Sequence, residues 1–226
     1  MTTIRGVAAS KYNSPRRADA AAATKAAILT AARQLFLADG YAATTVPQIA
    51  RAARVAVPTV YTSTGTKAEI LAALIEPVVQ DPAVGEVMAG IAVCEDAGEI
   101  VAITGEGARL AHARNWDTVD RLFPQAQSEP AAAEVYHRVL VAYQQALGTV
   151  ADRLAALGAL RDGLTRDDAA DRLWFYLGER AWTSLCRDRG WSFEQARDWL
   201  VARLTAELLR DKDETRSGGR SGSRGQ

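Results

Sequence analysis

Hydrophobic residues along this chain recur at the spacing of helices. In the segment 19–39 the apolar positions Ile28, Ala32 and Phe36 fall on one helical face, and Gly40 follows where a helix C-cap would stand. Later segments keep the same periodicity, and no stretch shows the sustained apolar–polar alternation of a strand. The pattern therefore predicts an all-α protein with about nine helices.

Two short helices interrupt the series of long ones. The first is predicted over residues 45–53, because Thr45 and Gln48 have the spacing of a capping box. The second is predicted to begin at Val57 and to end near Thr62, before the helix-breaking sequence TSTGT.

The chain then resumes as a helix with Thr66 as the N-cap and Glu69 three residues later, and Pro77 is expected to kink or end that helix. Two further capping boxes are predicted later in the chain, Thr165 with Asp168 and Ser192 with Gln195. The approximate bounds of the remaining helices are 83–93, 97–114, 116–123, 130–157, 166–189 and 193–210.

Charge is divided unevenly along the chain, although Lys plus Arg and Asp plus Glu both total 27. Residues 1–76 contain nine basic against four acidic side chains, and residues 77–210 contain fourteen against twenty. A basic N-terminal part suits a polyanionic partner. We therefore predict a flexible basic arm over 1–18, a basic helical domain over 19–76, an acidic helical domain over 77–210 and a disordered Gly/Ser/Arg tail over 211–226.

Other function classes have little support in the sequence. Cys94 and Cys186 form no metal or redox pattern and fit a reducing compartment, and two histidines without companion ligands do not make a metal site. The chain shows no nucleophile–base–acid set, no run of 18 apolar residues and no apolar signal-peptide core. We expect a cytoplasmic protein that is not an enzyme, with no catalytic residues, no metal, no cofactor and no membrane partner.

The stretch ARVAVPTVYTSTGTKAEIL, residues 53–71, has two competing interpretations. A phosphate-binding P-loop needs a glycine five residues before Gly65 and a lysine directly after it, but Val60 and Thr66 occupy those positions. That interpretation fails. The alternative is a helix-turn-helix, in which two short helices joined by a tight turn place the second helix in the major groove of DNA.

We expect the second short helix to contact double-stranded DNA. Tyr61 is assigned to a phosphate through its hydroxyl group. Lys67 lies in the first turn of the next helix and is assigned to a phosphate because a helix N-terminus also favours an anion. The helix has no Arg, Asn or Gln, so readout would rest on thymine methyl groups and DNA shape. Arg16 and Arg17 either reach a minor groove or only add solubility. The predicted DNA-binding residues are Thr45, Val57, Pro58, Thr59, Tyr61, Thr62 and Lys67.

The sequence TTVPQIARAARVAVPTVYTSTGTKAEIL resembles the N-terminal domain of the TetR family of bacterial transcriptional regulators, and AARQLFLADGYAATTV resembles the helix before it. Residues 157–209 resemble the last two helices of one large subgroup. The matching positions of the N-terminal motif are Thr45, Val46, Ile49, Ala50, Ala53, Val55, Thr59, Val60, Tyr61, Lys67, Glu69 and Ile70. The resemblance implies a homodimeric repressor that binds a palindromic operator and answers to a small-molecule effector.

Four positions depart from the family pattern. Arg54 replaces a turn glycine at a cost of about 1 kcal/mol, and Ala56 replaces a capping Ser or Thr. Ser63 and Thr64 replace the common His/Tyr–Phe pair that anchors the recognition helix. These departures leave an alternative open, in which the chain is a ligand-binding or interaction protein of the same fold with weakened DNA binding.

The resemblance also implies an effector pocket and a dimer interface in the C-terminal domain. Aromatic and histidine side chains at helical spacing are the candidates for the pocket: His112, Trp116, Phe123, Tyr136, Tyr143 and Trp174. Two apolar stripes on the last two helices are the candidates for a four-helix interface, with a two-sided core helix as the alternative. The predicted interface residues are Leu173, Leu177, Gly178, Trp182, Leu185, Leu200, Leu204 and Leu208.

Overall fold

A computed structural model of the chain describes residues 15–79 and 82–210, and it confirms the all-α prediction. Among these residues the only β-type pairing is an isolated bridge between Leu160 and Leu209. Contacts divide the chain into two units, the first ending at Leu71 and the second beginning at Ala72. The predicted tail over 211–226 and most of the predicted arm, residues 1–14, lie outside the described residues.

The first unit is built on three helices and the beginning of a fourth. They are α1 (Pro15–Ala38), α2 (Val46–Ala52), α3 (Val57–Thr64) and α4 (Lys67–Val79). Helix α1 packs on both α2 and α3, and the core residues Ile28, Phe36, Ile49, Val60 and Ile70 are buried. Helices of seven or eight residues are not stable alone. Helices α2 and α3 therefore depend on this packing, which removes their apolar side chains from water.

Two helix ends differ from the prediction. Helix α1 begins at Pro15, so residues 15–18 belong to the helix and not to the arm, since proline is well tolerated in a first helical turn. Helix α3 runs to Thr64, because the hydroxyl of Thr64 donates to the Val60 carbonyl at 2.9 Å within the helix. Gly65, with φ 82°, then ends it.

The second unit begins within α4 and contains seven more helices. They are α5 (Pro82–Val93), α6 (Ala97–Asp117), α7 (Phe123–Ala126), α8 (Pro130–Ala156), α9 (Arg166–Leu177), α10 (Glu179–Trp182) and α11 (Phe193–Leu208). A π-helical turn at Thr118–Leu122 joins α6 to α7, and a second at Thr183–Asp188 extends α10. If the adjoining helical segments within 97–126 and within 166–188 are each counted as one helix, the described residues contain nine helices.

Two predicted segment boundaries are corrected in this unit. The predicted helix 116–123 is not separate: it continues α6 beyond a kink at Asn115, where φ is −105° and ψ is 16°. The predicted helix 166–189 is broken at Gly178, whose ψ of 162° is extended. A Cβ atom at Gly178 would lie 2.5 Å from the Trp174 carbonyl oxygen, so a glycine permits this abrupt break.

The apolar stripe predicted as a dimer interface lies inside the single chain. A side chain without solvent exposure has no surface left for a partner, so this part of the prediction is corrected in favour of the core alternative. The buried members are Leu173, Leu177, Gly178, Trp182, Leu200, Leu204 and Leu208, and Leu185 is partly exposed. Their face of the molecule is occupied because α9 packs against α8, and α11 packs against α6.

In the part of the chain that the structure describes, no helix is long and apolar enough to cross a membrane.

Candidate DNA-binding surface and effector cavity

The turn between α2 and α3 is made by backbone hydrogen bonds around Arg54. The Val55 amide donates to the Ala50 carbonyl at 2.9 Å, and the Arg54 amide donates to the Arg51 carbonyl at 3.1 Å. This Schellman arrangement puts Arg54 in the left-handed region, at φ 58°, a position that favours glycine. The turn therefore has the helix-turn-helix geometry, with local strain at Arg54.

Helix α3 presents a small polar outer face. Pro58, Tyr61 and Thr62 are exposed, and the Tyr61 side chain keeps 52% of its surface accessible. Val57 and Thr59 are half-buried, while Val60 faces the core. The predicted base-edge and phosphate residues of α3 are thus at least partly accessible on one short helix.

The N-terminus of α3 has no side-chain cap. Ala56 occupies the N-cap position with extended backbone, φ −74° and ψ 148°, but a methyl group accepts no hydrogen bond. By contrast, Thr45 at the start of α2 forms the predicted capping box, in which its amide donates to the Gln48 side chain at 2.7 Å. Thr45 is exposed, yet its hydroxyl is engaged with Gln48 at 2.8 Å.

The ammonium group of Lys67, which the sequence assigned to a DNA phosphate, has contacts within the first unit. It donates to the carbonyls of Tyr41, at 3.0 Å, and Thr44, at 3.1 Å, and lies 4.1 Å from the centre of the Tyr41 ring. The side chain is half-buried within the first unit. Lys67 therefore clamps the turn after α1 to the start of α4, a role that the sequence pattern did not indicate.

Ser63 and Thr64 are half-buried at the end of α3. Thr64 satisfies its hydroxyl on the Val60 carbonyl of its own helix, so no unpaired polar group replaces the aromatic ring that the family pattern has there. The anchor of α3 in the core is Val60.

The second unit encloses an apolar cavity of about 180 Å³ between α5, α6 and α8. Four predicted pocket residues line it: His112, Phe123, Tyr143 and Trp174. Trp116 is not among the lining residues. Its ring packs edge-on against the Phe193 ring, with 5.2 Å between the ring centres. Tyr136 is also outside the lining, and its hydroxyl donates to Glu179 at 3.1 Å.

Several lining residues are not indicated by the sequence pattern, and Glu179 is chemically the most important of them. Glu179 lines the cavity just after the helix break at Gly178 and is half-buried. Burial raises the pKa of its carboxyl group. No spacing in the sequence identifies Glu179, because the break at Gly178 changes the helical register on which a face is counted.

His112 is a buried, uncharged group of the cavity wall. Its Nδ1 lies 2.8 Å from the Ala108 carbonyl, and its ring stacks on Trp182 with 5.0 Å between ring centres. Burial lowers the pKa of His112 to about 4, so the ring is neutral near pH 7. The bond to the carbonyl makes Nδ1 the donor, which leaves Nε2 as an acceptor.

The last carbonyl of α9 connects the cavity wall to the helix break. The Leu177 carbonyl accepts hydrogen bonds from the Tyr143 hydroxyl, at 2.9 Å, and from the Trp182 indole, at 3.0 Å. Burial raises the pKa of Tyr143, so its phenol stays protonated and able to donate. The break at Gly178 is therefore held by two side chains, one of which also lines the cavity.

Metal chemistry has no candidate site among the described residues, which hold no group of three His, Cys, Asp or Glu side chains able to bind an ion. Cys94 and Cys186 are both free and half-buried.

Residues 28–74 match a family model described as bacterial regulatory proteins of the tetR family. No curated protein sequence matches the chain. Among solved structures, the transcriptional regulator FadR from Bacillus subtilis in complex with stearoyl-CoA is similar with a TM-score of 0.64 and 19% identity, over 79% of this chain and 96% of that one.

Two other solved regulators have the same architecture. NalD, the secondary repressor of an efflux pump in Pseudomonas aeruginosa, is similar with a TM-score of 0.65 and 21% identity, over 84% of this chain and 99% of that one. A putative regulator from Saccharomonospora viridis in complex with choline has a TM-score of 0.65 and 19% identity, over 84% and 100%. At such identities the likeness shows a common fold.

The helix-turn-helix geometry of α2 and α3 coincides with the matched residues 28–74, and the rest of the described chain has the helical fold of solved transcriptional regulators. The helix-turn-helix part of the chain is therefore similar to bacterial regulatory proteins of the tetR family.

Proposed function

We propose that this protein is a cytoplasmic transcriptional repressor that binds palindromic operator DNA as a homodimer and releases it when a small molecule enters the cavity of the second unit. The observation that carries the proposal is the presence, in one chain, of a tetR-family helix-turn-helix and an apolar, aromatic-walled cavity. Pockets of this composition are the usual binding sites for small molecules.

Three similar regulators support the effector part, because their solved structures contain stearoyl-CoA, choline and triclosan. These ligands differ in chemical class, so the ligand of this chain depends on the residues that line its own cavity. Control then follows from differential affinity: an effector that binds one conformation of the dimer better shifts the population away from the DNA-bound one.

A homodimer needs an exposed apolar surface on the helices that pair. Such side chains remain on α9 and α11 after the subunit's own core is formed: Phe175 is 72% exposed and Trp199 is 44% exposed. We propose that these residues, and not the buried leucine stripe, meet the partner subunit. Large aromatic side chains contribute most to interfaces of this type.

The test of DNA binding is retention of fragmented genomic DNA from the source organism by the purified protein at two salt concentrations, followed by sequencing. We expect an enriched palindrome whose retention falls as salt rises, since phosphate contacts release counterions. Tyr61→Glu on the outer face of α3 should abolish enrichment. The matched control is Val93→Glu, a change at a 79% exposed position of the second unit, which should retain it.

A second candidate function is supported by the first unit itself. Ala56 leaves α3 uncapped, and Lys67 is engaged with two carbonyls, so fewer groups are available for DNA. In that case the chain would be a ligand-binding protein with weakened DNA binding. The double change Ser63→His and Thr64→Phe would then strengthen retention. No gain, together with an enriched palindrome for the unaltered protein, would exclude this candidate.

A further inference from the structure

We propose that the effector is a lipophilic cation, an apolar molecule that carries one ammonium-type group, and that Glu179 binds this group at the wall of the cavity. The inference rests on the proposed effector cavity and goes on to assign the chemical class of the ligand. It follows from three properties of the lining: its apolar and aromatic surface, its half-buried carboxylate and its excess of hydrogen-bond acceptors.

The cavity wall is largely apolar and can remove a hydrocarbon body from water. Ile91, Val139 and Leu147 are buried wall residues, and the rings of Phe123 and Trp174 add aromatic surface. Removal of apolar ligand surface from water favours binding to such a wall. Aromatic faces also attract a cation through the negative potential above the ring. The wall therefore suits a body that is apolar and a head group that is positive.

Glu179 forms no direct ion pair among the described residues, although Arg180 and Arg187 attract its charge from a greater distance and act to lower its pKa. Its hydrogen bond comes from the neutral Tyr136 hydroxyl at 3.1 Å. The nearby Arg187 instead forms ion pairs with Asp120, at 3.1 Å, and Asp188, at 2.8 Å. Burial is the largest influence on the Glu179 carboxyl group and raises its pKa, and it outweighs the Tyr136 hydrogen bond and the attraction of the two arginines. An ammonium group at this place would supply the missing charge.

The other polar side chains of the wall offer more acceptors than donors to a ligand, because each already donates one hydrogen bond to a backbone carbonyl and only the Asn115 amide keeps a second N–H. The bonds are Thr104 Oγ1 to Ile100 O at 2.7 Å, His112 Nδ1 to Ala108 O at 2.8 Å, Asn115 Nδ2 to Ala111 O at 3.0 Å and Tyr143 OH to Leu177 O at 2.9 Å. The remaining acceptor on His112 is Nε2. A ligand that brings N–H donors is thus favoured over one that brings a carboxylate.

Arg114 is the cationic residue of the lining, and it does not reverse this preference. Its side chain is exposed and already has an interaction partner. An anionic ligand would place its charge in the same cavity as Glu179, where like charges repel strongly because the wall excludes water. A neutral ligand would leave the carboxylate desolvated without compensation.

The experiment compares three probes with the same body and different head groups: 4-phenylbutylamine, 4-phenylbutanol and 4-phenylbutyrate. Binding to the full chain is measured by calorimetry without DNA near pH 7.5. We expect the amine to bind about tenfold more tightly than the alcohol, with the carboxylate weakest, since a charge-assisted hydrogen bond exceeds a neutral one. Equal binding of amine and alcohol, tighter binding of the carboxylate, or no binding of any probe would overturn the proposal.

Two variants assign the effect to Glu179. Glu179→Gln keeps the shape and an acceptor for Tyr136 but removes the charge, so the amine should lose its tenfold advantage while alcohol binding stays within about twofold. Glu134→Gln removes a carboxylate from the exposed surface of α8 and should leave the preference unchanged. Persistence of the preference in Glu179→Gln, with circular dichroism showing a folded protein, would overturn the assignment.

Retention of operator DNA on the same preparations separates this inference from the proposed function. If the protein retains operator DNA but binds the amine no more tightly than the alcohol, the proposed ligand class is wrong and the proposed regulatory function stands. Conversely, a Glu179-dependent amine preference without sequence-specific DNA binding supports the ligand class and overturns the repressor.

Discussion

The residue that links the two short helices of the first unit is held in an unfavourable backbone conformation. Arg54 has φ 58°, and its Cβ crowds the backbone there, whereas glycine has no Cβ and adopts this region freely. The hydrogen bonds of Arg54 and Val55 to the end of α2 hold the turn against this strain.

Arg54→Gly should raise the free energy of unfolding by about 1 kcal/mol, because it relieves the positive φ without loss of a backbone hydrogen bond. Chemical denaturation measures the change. The matched control is Arg51→Gly, the same substitution inside α2, which should lower stability by up to about 1 kcal/mol because glycine is a poor helix former. Changes of the same sign in both variants would contradict the strain at Arg54.

Lys67 shows how a charged residue can act inside a domain. Lys67→Met keeps the aliphatic stem but loses two hydrogen bonds to carbonyls and the contact with the Tyr41 ring, so stability without DNA should fall by about 2 kcal/mol. Lys25→Met, on an exposed part of α1, should have little effect. If Lys67→Met left stability unchanged and instead reduced the salt dependence of DNA binding, the original phosphate assignment would hold.

Buried His112 is expected to make the free energy of unfolding fall as the pH is lowered. Its pKa is about 4 in the folded chain against 6.5 as the ordinary value, so the unfolded chain binds more protons between these limits. The contribution of neutral His112 is complete above pH 6.5 and is lost as pH falls towards 4, on the order of 2 kcal/mol at pH 4.5.

His112→Asn should therefore flatten the fall in unfolding free energy between pH 7 and 4.5, whatever it does to stability at pH 7. His137→Asn, at an exposed position, should keep the slope of the unaltered protein. Equal slopes in all three proteins would show that His112 does not titrate differently on folding. The measurement is denaturant unfolding across the pH series.

At the scale of elements, the break between α9 and α10 is the feature that most shapes the cavity. It places Glu179 on the wall, and the Leu177 carbonyl before it accepts from Tyr143 and Trp182. A continuous helix would direct that carbonyl along its own axis to a residue four positions later. The two side-chain donors replace that intrahelical partner.

Gly178→Ala tests the break. The added methyl group would stand 2.5 Å from the Trp174 carbonyl oxygen, so the backbone must move, and we expect a loss of about 2 kcal/mol in stability. Gly90→Ala is the control, because its Cβ would meet nothing within 4 Å inside α5 and should stabilise the helix. Thermal unfolding distinguishes the two signs, and a stabilising Gly178→Ala would contradict the close approach.

At the scale of the whole molecule, the proposed dimer depends on aromatic surface left outside the core. The double change Phe175→Asp and Trp199→Asp should shift the protein from dimer to monomer, because each charge would be buried without a partner at the interface. Val93→Asp, at an apolar position elsewhere that is 79% exposed, should leave the dimer intact. Sedimentation analysis reads out the mass. A dimer that survives the double change would place the interface on another surface.

The sequence by itself determined the helices and most of their ends, because those depend on neighbours in the chain. The capping boxes Thr45–Gln48, Thr165–Asp168 and Ser192–Gln195 are present as predicted, since each joins residues three positions apart. The same local rules indicated the helix-turn-helix, whereas the strain at Arg54 was indicated by its departure from the family pattern. The match to the tetR family model is confined to this N-terminal part.

Contacts between residues distant in the chain set which helix faces and which charged side chains remain free to bind a partner. Lys67 bonds carbonyls 23 and 26 residues earlier in the chain, and the leucine stripe of α9 and α11 is buried by α8 and α6, partners that no periodicity reveals. Glu179 enters the cavity wall through a break that depends on packing around Gly178. A hydrophobic period shows that a face is buried, but its partner is set by contacts between residues distant in sequence.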